Sequence, residues 1–162
     1  MTDLPLDAEG LLALTDIEAV WAVAPVVEPL EHDARILLFI GPGCPVCPHQ
    51  IRAAATVAAA SARITLEIVD ATRDPDLAAR YDIQSVPTTI IDEELFLLGA
   101  MPAPRLADRI MERHGPDRER VLFASLMEAG RHEEASRRLA GARGIEAFAE
   151  LWSRSTLETR MG

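Results

Sequence analysis

Two cysteines two residues apart, set directly after an apolar run, constrain this chain more than any other feature. Ile36-Leu37-Leu38-Phe39-Ile40 is followed by Gly41-Pro42-Gly43 and then by Cys44-Pro45-Val46-Cys47, an order that reads as strand, tight turn, reactive pair, helix. Two thiols at this spacing in the first turn of a helix can close a small disulfide ring, and the unpaired amides of that turn stabilise a thiolate on the first sulfur. Cys44 is therefore the expected nucleophile. It should sit at or just before the first helical residue, with Pro45 where a missing N–H costs nothing. Cys47, one turn in, is expected to be more buried and to act as the resolving thiol.

The chain has two cysteines in 162 residues, so they cannot staple distant segments, and in a reducing compartment such a pair is catalytic or metal-binding rather than structural. A metal site needs two further ligands and only His49 lies close, so no metal is assigned. Acidic residues number 26 against 16 basic ones, every one an arginine, and the net charge of −10 argues against nucleic acid or an anionic membrane as partner. No stretch approaches the roughly 20 apolar residues needed to span a bilayer. The start, Met1-Thr2-Asp3-Leu4-Pro5-Leu6-Asp7, lacks the basic residues and apolar core of a secretion leader, so a cytoplasmic location is expected. With aromatics at 4%, the core has to be built from Ala, Leu, Ile and Val.

Apolar residues from Leu11 to Val23 follow a helical spacing, predicting a leading helix that ends near Ala24-Pro25, with an extended connector to Glu31. Ala34 to Ile40 reads as a central strand buried on both faces. The alanine-rich helix after Cys47 should run to about Ala62, and Pro48 is tolerable in its first turn. Ile64 to Asp70 reads as the next strand, parallel to the first, and Pro75 to Tyr81 as a short helix. Thr88–Asp92 and Leu95–Leu98 form a hairpin around Asp92-Glu93-Glu94, and Pro102 to His114 is a helix striped by Leu106, Ile110 and Met111. Three further helical stripes follow: Val121 to Met127, Ala135 to Ala140 and Ile145 to Trp152. A last one begins after Ser155 as the chain stops, so the pattern leads one to expect more helix beyond Gly162.

A strand, a CxxC pair at a helix start, a crossover, and then Val86-Pro87-Thr88 before Ile90-Ile91 resembles the thioredoxin-like superfamily. Cys44-Pro45-Val46-Cys47-Pro48 is most similar to glutaredoxin-type and protein disulfide oxidoreductase domains, including the thioredoxin-like domain of alkyl hydroperoxide reductase flavoproteins. The resemblance implies an α/β fold, a central mixed sheet flanked by helices. The resemblance covers residues 34–114, the thioredoxin-like domain; the helical spacing makes residues 1–33 an N-terminal helix and connector and 115–162 a helical extension, which is weakly similar to HEAT-like repeats. The resemblance also implies that Pro87 is cis, packs beside the disulfide and keeps metal ions from the thiols. Val86 would offer backbone to an extended substrate strand, and Thr88 would wall the groove. Pro45 and Val46, between the sulfurs, and His49, just beyond them, are the expected modulators. Leu38 stands six residues before Cys44, where thioredoxins bury an aspartate, and Gly43 replaces their tryptophan, so their proton route does not carry over. Val46 stands where glutaredoxins have tyrosine, and no glutathione signature surrounds Gly99.

The function these features imply is thiol–disulfide exchange with disulfide-containing proteins, recharged by an upstream reductase. No cofactor is required beyond the Cys44–Cys47 disulfide itself. Two readings stand beside it: a redox-sensing interaction module whose helical extension binds a partner, and an electron relay to a peroxide-reducing enzyme.

Overall fold

Ala34–Ile40 becomes β1, an internal strand with a neighbour on each side. The computed structural model describes residue 10 and residues 13–140. β1 pairs in parallel with β2 (Ile64–Asp70), Ala34 facing Ile64 and Ile40 facing Asp70. On its other side β1 runs antiparallel to β3 (Thr88–Ile91), which pairs antiparallel with β4 (Leu95–Leu98), giving the order β2-β1-β3-β4. Among the described residues six helices surround this sheet: α1 (Ile17–Val27), α2 (Cys47–Ala59), α3 (Pro75–Arg80), α4 (Ala103–His114), α5 (Arg118–Glu128) and α6 (His132–Leu139).

Alternation along β1 divides the core into two layers. Ile36 and Leu38 point to a layer filled by Val23 and Val27 of α1, Ala54 and Ala58 of α2, and Leu106 and Ile110 of α4. Leu37 and Phe39 point the other way, to Tyr81 at the end of α3, Leu126 of α5 and Ala135 of α6. The alanines let α2 lie close to the sheet, which holds the cysteines at the C-terminal end of β1.

α5 reaches both layers, since Val121 and Leu122 join the first and Leu126 the second, so it wraps the β4 edge. The Ser125 hydroxyl accepts the Phe96 N–H at 2.9 Å, satisfying a donor that an edge strand would otherwise expose. Glu94, in the β3–β4 turn, pairs with Arg113 of α4, with Arg118 of α5 at 2.9 Å and with Arg138 of α6 at 2.9 Å. One carboxylate thus gathers three helices onto the hairpin. Beside it Asp92 accepts the Arg35 N–H at 2.8 Å and lies 2.9 Å from His114 Nε2. These bonds hold a turn in which Asp92 and Glu93 both take positive φ, 51° and 62°.

Two expectations are corrected. The leading helix does not end at Ala24-Pro25. It is capped by the Asp16 side chain, which accepts the Glu18 N–H at 2.9 Å, and it passes through Pro25 to Val27. An internal proline costs roughly 3 kcal/mol. Here it falls in the last turn and is offset by Val23 and Val27, which are fully buried, each contributing about 1.5–3 kcal/mol. α2 begins at Cys47 rather than at Pro45, and it ends at Ala59 rather than near Ala62. The described part of the C-terminal extension lays its apolar stripes against the sheet, although Met127, expected in the α5 stripe, is exposed. The stripe Ile145–Trp152 and the helix expected after Ser155 lie outside the described residues. Among the described residues no helix is long and apolar enough to cross a membrane.

Candidate active site

The β1–α2 junction places the two cysteines. Gly43, at φ +73°, makes the turn that brings Cys44 in front of the helix end. Val46 is the N-cap residue and supplies no side-chain cap. The first-turn donors are nevertheless accounted for. Pro48 has no N–H, His49 and Gln50 donate to the Val46 carbonyl at 3.1 and 3.2 Å, and Cys47 donates its amide to Cys44 Sγ at 3.2 Å. The Cys44 sulfur is thus itself a cap on α2. Because helix and sulfur lie two residues out of the expected phase, Pro48, not Pro45, is the proline of the first turn.

Cys44 and Cys47 are joined by a disulfide, with Cα atoms 5.5 Å apart. Cys44 is half-buried, whereas Cys47 is only 4% exposed, so Cys44 is the more accessible of the two residues. Pro45 and Val46 are exposed between them, Val46 at 42%.

The second wall comes from the loop between α3 and β3. The Val86–Pro87 peptide bond is cis, and the Val86 carbonyl oxygen lies 3.8 Å from Cys44 Sγ. Val86 precedes the ladder, which starts with Thr88 opposite Phe39, so its backbone is not used by the sheet. Its side chain packs on the other lip of the turn, 3.3 Å from where a Cβ on Gly41 would stand. Thr88 is buried, and its hydroxyl donates to the Ser85 carbonyl at 2.7 Å. It braces this loop from beneath. Pro87 accepts the Gly99 N–H at 2.9 Å, which fixes the loop to the end of β4.

His49 is exposed and makes no hydrogen bond to either sulfur. It stands on the rim of a cleft of about 540 Å³ together with Arg52, over a floor that includes Leu14, Ala53 and Met101.

Sequence reasoning missed Gln50. It is fully buried one turn beyond Cys47, donates Nε2–H to Thr89 Oγ1 at 2.8 Å and accepts the Met101 N–H at 2.8 Å. Thr89 faces Leu38 across the β1–β3 ladder, so this neutral pair lies beside the position where an aspartate was noted as absent. A lone glutamine among alanines, three residues after Cys47 and hence on its helical face, was the available signal.

A family model for the thioredoxin domain matches residues 34–112. Thioredoxin from Methanocaldococcus jannaschii is 31% identical over 80 residues, which covers 49% of this chain and 94% of that protein. The chain belongs to the thioredoxin family. The NTD_N/C domain of the alkylhydroperoxide reductase AhpF from Enterococcus faecalis superposes on 55% of this chain, at 24% identity and a TM-score of 0.51, a likeness of fold. A protein disulfide oxidoreductase from Aeropyrum pernix covers 64%, at 24% identity and a TM-score of 0.48. The chain spans 42% of the length of each of these solved chains. As a thioredoxin-family member with its CxxC pair closed, the protein is a thiol–disulfide oxidoreductase.

Proposed function

We propose that the protein reduces disulfides of other proteins, with Cys44 as the attacking sulfur and Cys47 as the resolver. The observation that carries this is the asymmetry of the pair: Cys44 is half-buried and accepts the Cys47 amide, while Cys47 is buried. A hydrogen bond from an amide at a helix N-terminus favours the thiolate, the form that attacks.

In the reduced protein the Cys44 thiolate attacks one sulfur of the substrate disulfide. A Cys44–substrate bond forms, the substrate S–S bond breaks, and the leaving thiolate takes a proton. The Cys47 thiol then loses its proton and attacks Cys44 Sγ, displacing the second substrate thiolate, which is protonated in turn. The substrate disulfide gains two electrons and the dithiol becomes the Cys44–Cys47 disulfide. An upstream reductase returns the two electrons. The substrate strand runs beside Val86, whose free backbone and nearness to Cys44 Sγ support a docking role, with Pro87 and Thr88 holding the loop. The setting is a reducing compartment, the cytoplasm.

A Cys47→Ser variant tests this. It should accumulate mixed disulfides through Cys44, and a Cys44→Ser variant should collect none. Equal capture by both, or by neither, contradicts the assignment. The fold likeness to an alkylhydroperoxide reductase domain supports a narrower reading, in which the electrons pass to one peroxide-reducing enzyme. Capture of a single peroxidase by the trap selects it. The interaction-module reading draws less support, because α5 and α6 are occupied with the sheet.

A further inference from the structure

We infer that Arg131, in the turn between α5 and α6, is a positioning residue for the substrate-docking loop. The inference rests on the role proposed for Val86. Gly130 takes φ +72°, its N–H reaches the Met127 carbonyl at 3.1 Å, and the Arg131 N–H reaches the Leu126 carbonyl at 2.8 Å. This Schellman closure fixes where Arg131 leaves the helix. Its guanidinium then makes three contacts. Nη1 donates to the Tyr81 carbonyl at 2.7 Å, Cζ stands 4.3 Å from the centre of the Phe96 ring, and Nη2 and Nε grip Glu134 at 2.8 and 2.9 Å. The Arg131 side chain is only 20% exposed.

Tyr81 is the residue from which the docking loop departs. Its carbonyl is one of those left without a partner at the end of α3. Asp82 follows in the left-handed region at φ 51°, and Ile83 donates back to the Ala78 carbonyl at 2.9 Å. From there the chain runs through Gln84 and Ser85 to Val86–Pro87. Arg131, Ala129 and Phe96 line one small cavity together with Asp82, Ser85 and Thr88, so the α5–α6 turn is the back wall of this loop. Residues 34–112, matched as the thioredoxin domain, do not include Arg131. The C-terminal helices thereby set the height of Val86 against Cys44 without touching either sulfur.

The experiment compares wild type, Arg131→Ala, Arg131→Lys and Glu134→Gln in two assays: reduction of insulin, an extended protein disulfide, and of 5,5′-dithiobis(2-nitrobenzoate), a small disulfide that needs no strand docking. In Arg131→Ala, KM for insulin should rise about fivefold, the size of one lost hydrogen bond, with kcat and the small-disulfide rate within about twofold. Arg131→Lys keeps a donor for the Tyr81 carbonyl and should recover most of the insulin KM. Glu134→Gln loosens the same turn and should leave it unchanged. An unchanged KM in Arg131→Ala overturns the inference. So does a fall in both assays that tracks a lower melting temperature, because Arg131 would then be structural only. Absence of turnover in wild type refutes the functional reading itself.

Discussion

Replacing Gln50 with leucine keeps the side-chain volume and deletes two buried hydrogen bonds. The carboxamide is fully buried, so no solvent on that side replaces what it gives to Thr89 Oγ1 and takes from the Met101 N–H. Each buried polar group left unpaired costs about 1–3 kcal/mol, the half-buried Met101 amide at the low end, so Gln50→Leu should destabilise by about 3 kcal/mol. That is a large share of the roughly 5–15 kcal/mol available to a domain. Thr89→Val alone should cost about 1–2 kcal/mol, because it orphans Gln50 Nε2. The double variant should cost less than the sum, by about 1–2 kcal/mol, because the orphaned partners are removed together. Urea unfolding of the oxidised proteins at fixed pH, with unchanged slope, gives all four corners of this cycle. A Gln50→Leu change within about 0.5 kcal/mol of wild type, or additive single effects, would refute the argument that this pair is a buried, mutually dependent network.

Other consequences are simpler. Ser125→Ala should cost about 1–2 kcal/mol in urea unfolding by leaving the Phe96 N–H unpaired on the edge strand, with small-disulfide turnover retained. Gly130→Ala meets no neighbour but must adopt φ +72°, so it should lose about 1 kcal/mol. The Thr72 hydroxyl and amide, with Arg73 adding less, hold the Asp70 carboxyl below its ordinary value of 3.8. A depressed folded-state pKa contributes stability that is complete above the unfolded value and is lost as pH falls through the folded one. Thr72→Val should therefore be less stable than wild type at pH 7, by an amount that shrinks in urea melts between about pH 5 and pH 2. A constant difference across that range would contradict the linkage. In the reduced protein, Cys44 should be alkylated by iodoacetamide ahead of Cys47, as mass spectrometry of partly modified protein would show.

The four strands were legible because each is a short apolar or alternating stretch bounded by turn residues: Ala34–Ile40, Ile64–Asp70 and Leu95–Leu98 fall on the residues expected, and the third strand differs only in stopping at Ile91. The internal position of β1 followed from the unbroken apolar stretch Ile36–Ile40. The cysteine pair was legible from local spacing, but its phase was not. Whether Pro45 or Pro48 enters the helix depends on Cys44 Sγ taking the Cys47 amide, a tertiary detail of the turn. Pro25 misled because its local cost was visible and the burial of Val27 was not. Gln50 was passed over because it stands between the exposed His49 and Arg52, and only its place on the face of Cys47 sets it apart. The use of α5 was also hidden: nothing local marks Ser125 or Arg131, whose partners Phe96 and Tyr81 lie far away in sequence.

The reduction potential of the Cys44–Cys47 pair tests the central claim most directly. It is read by thiol alkylation and intact mass after equilibration in graded dithiothreitol buffers. A disulfide reductase should show one reversible two-electron step near about −270 mV. A step near about −120 mV would make the protein an oxidant, and a pair showing no reversible step would contradict the exchange mechanism itself.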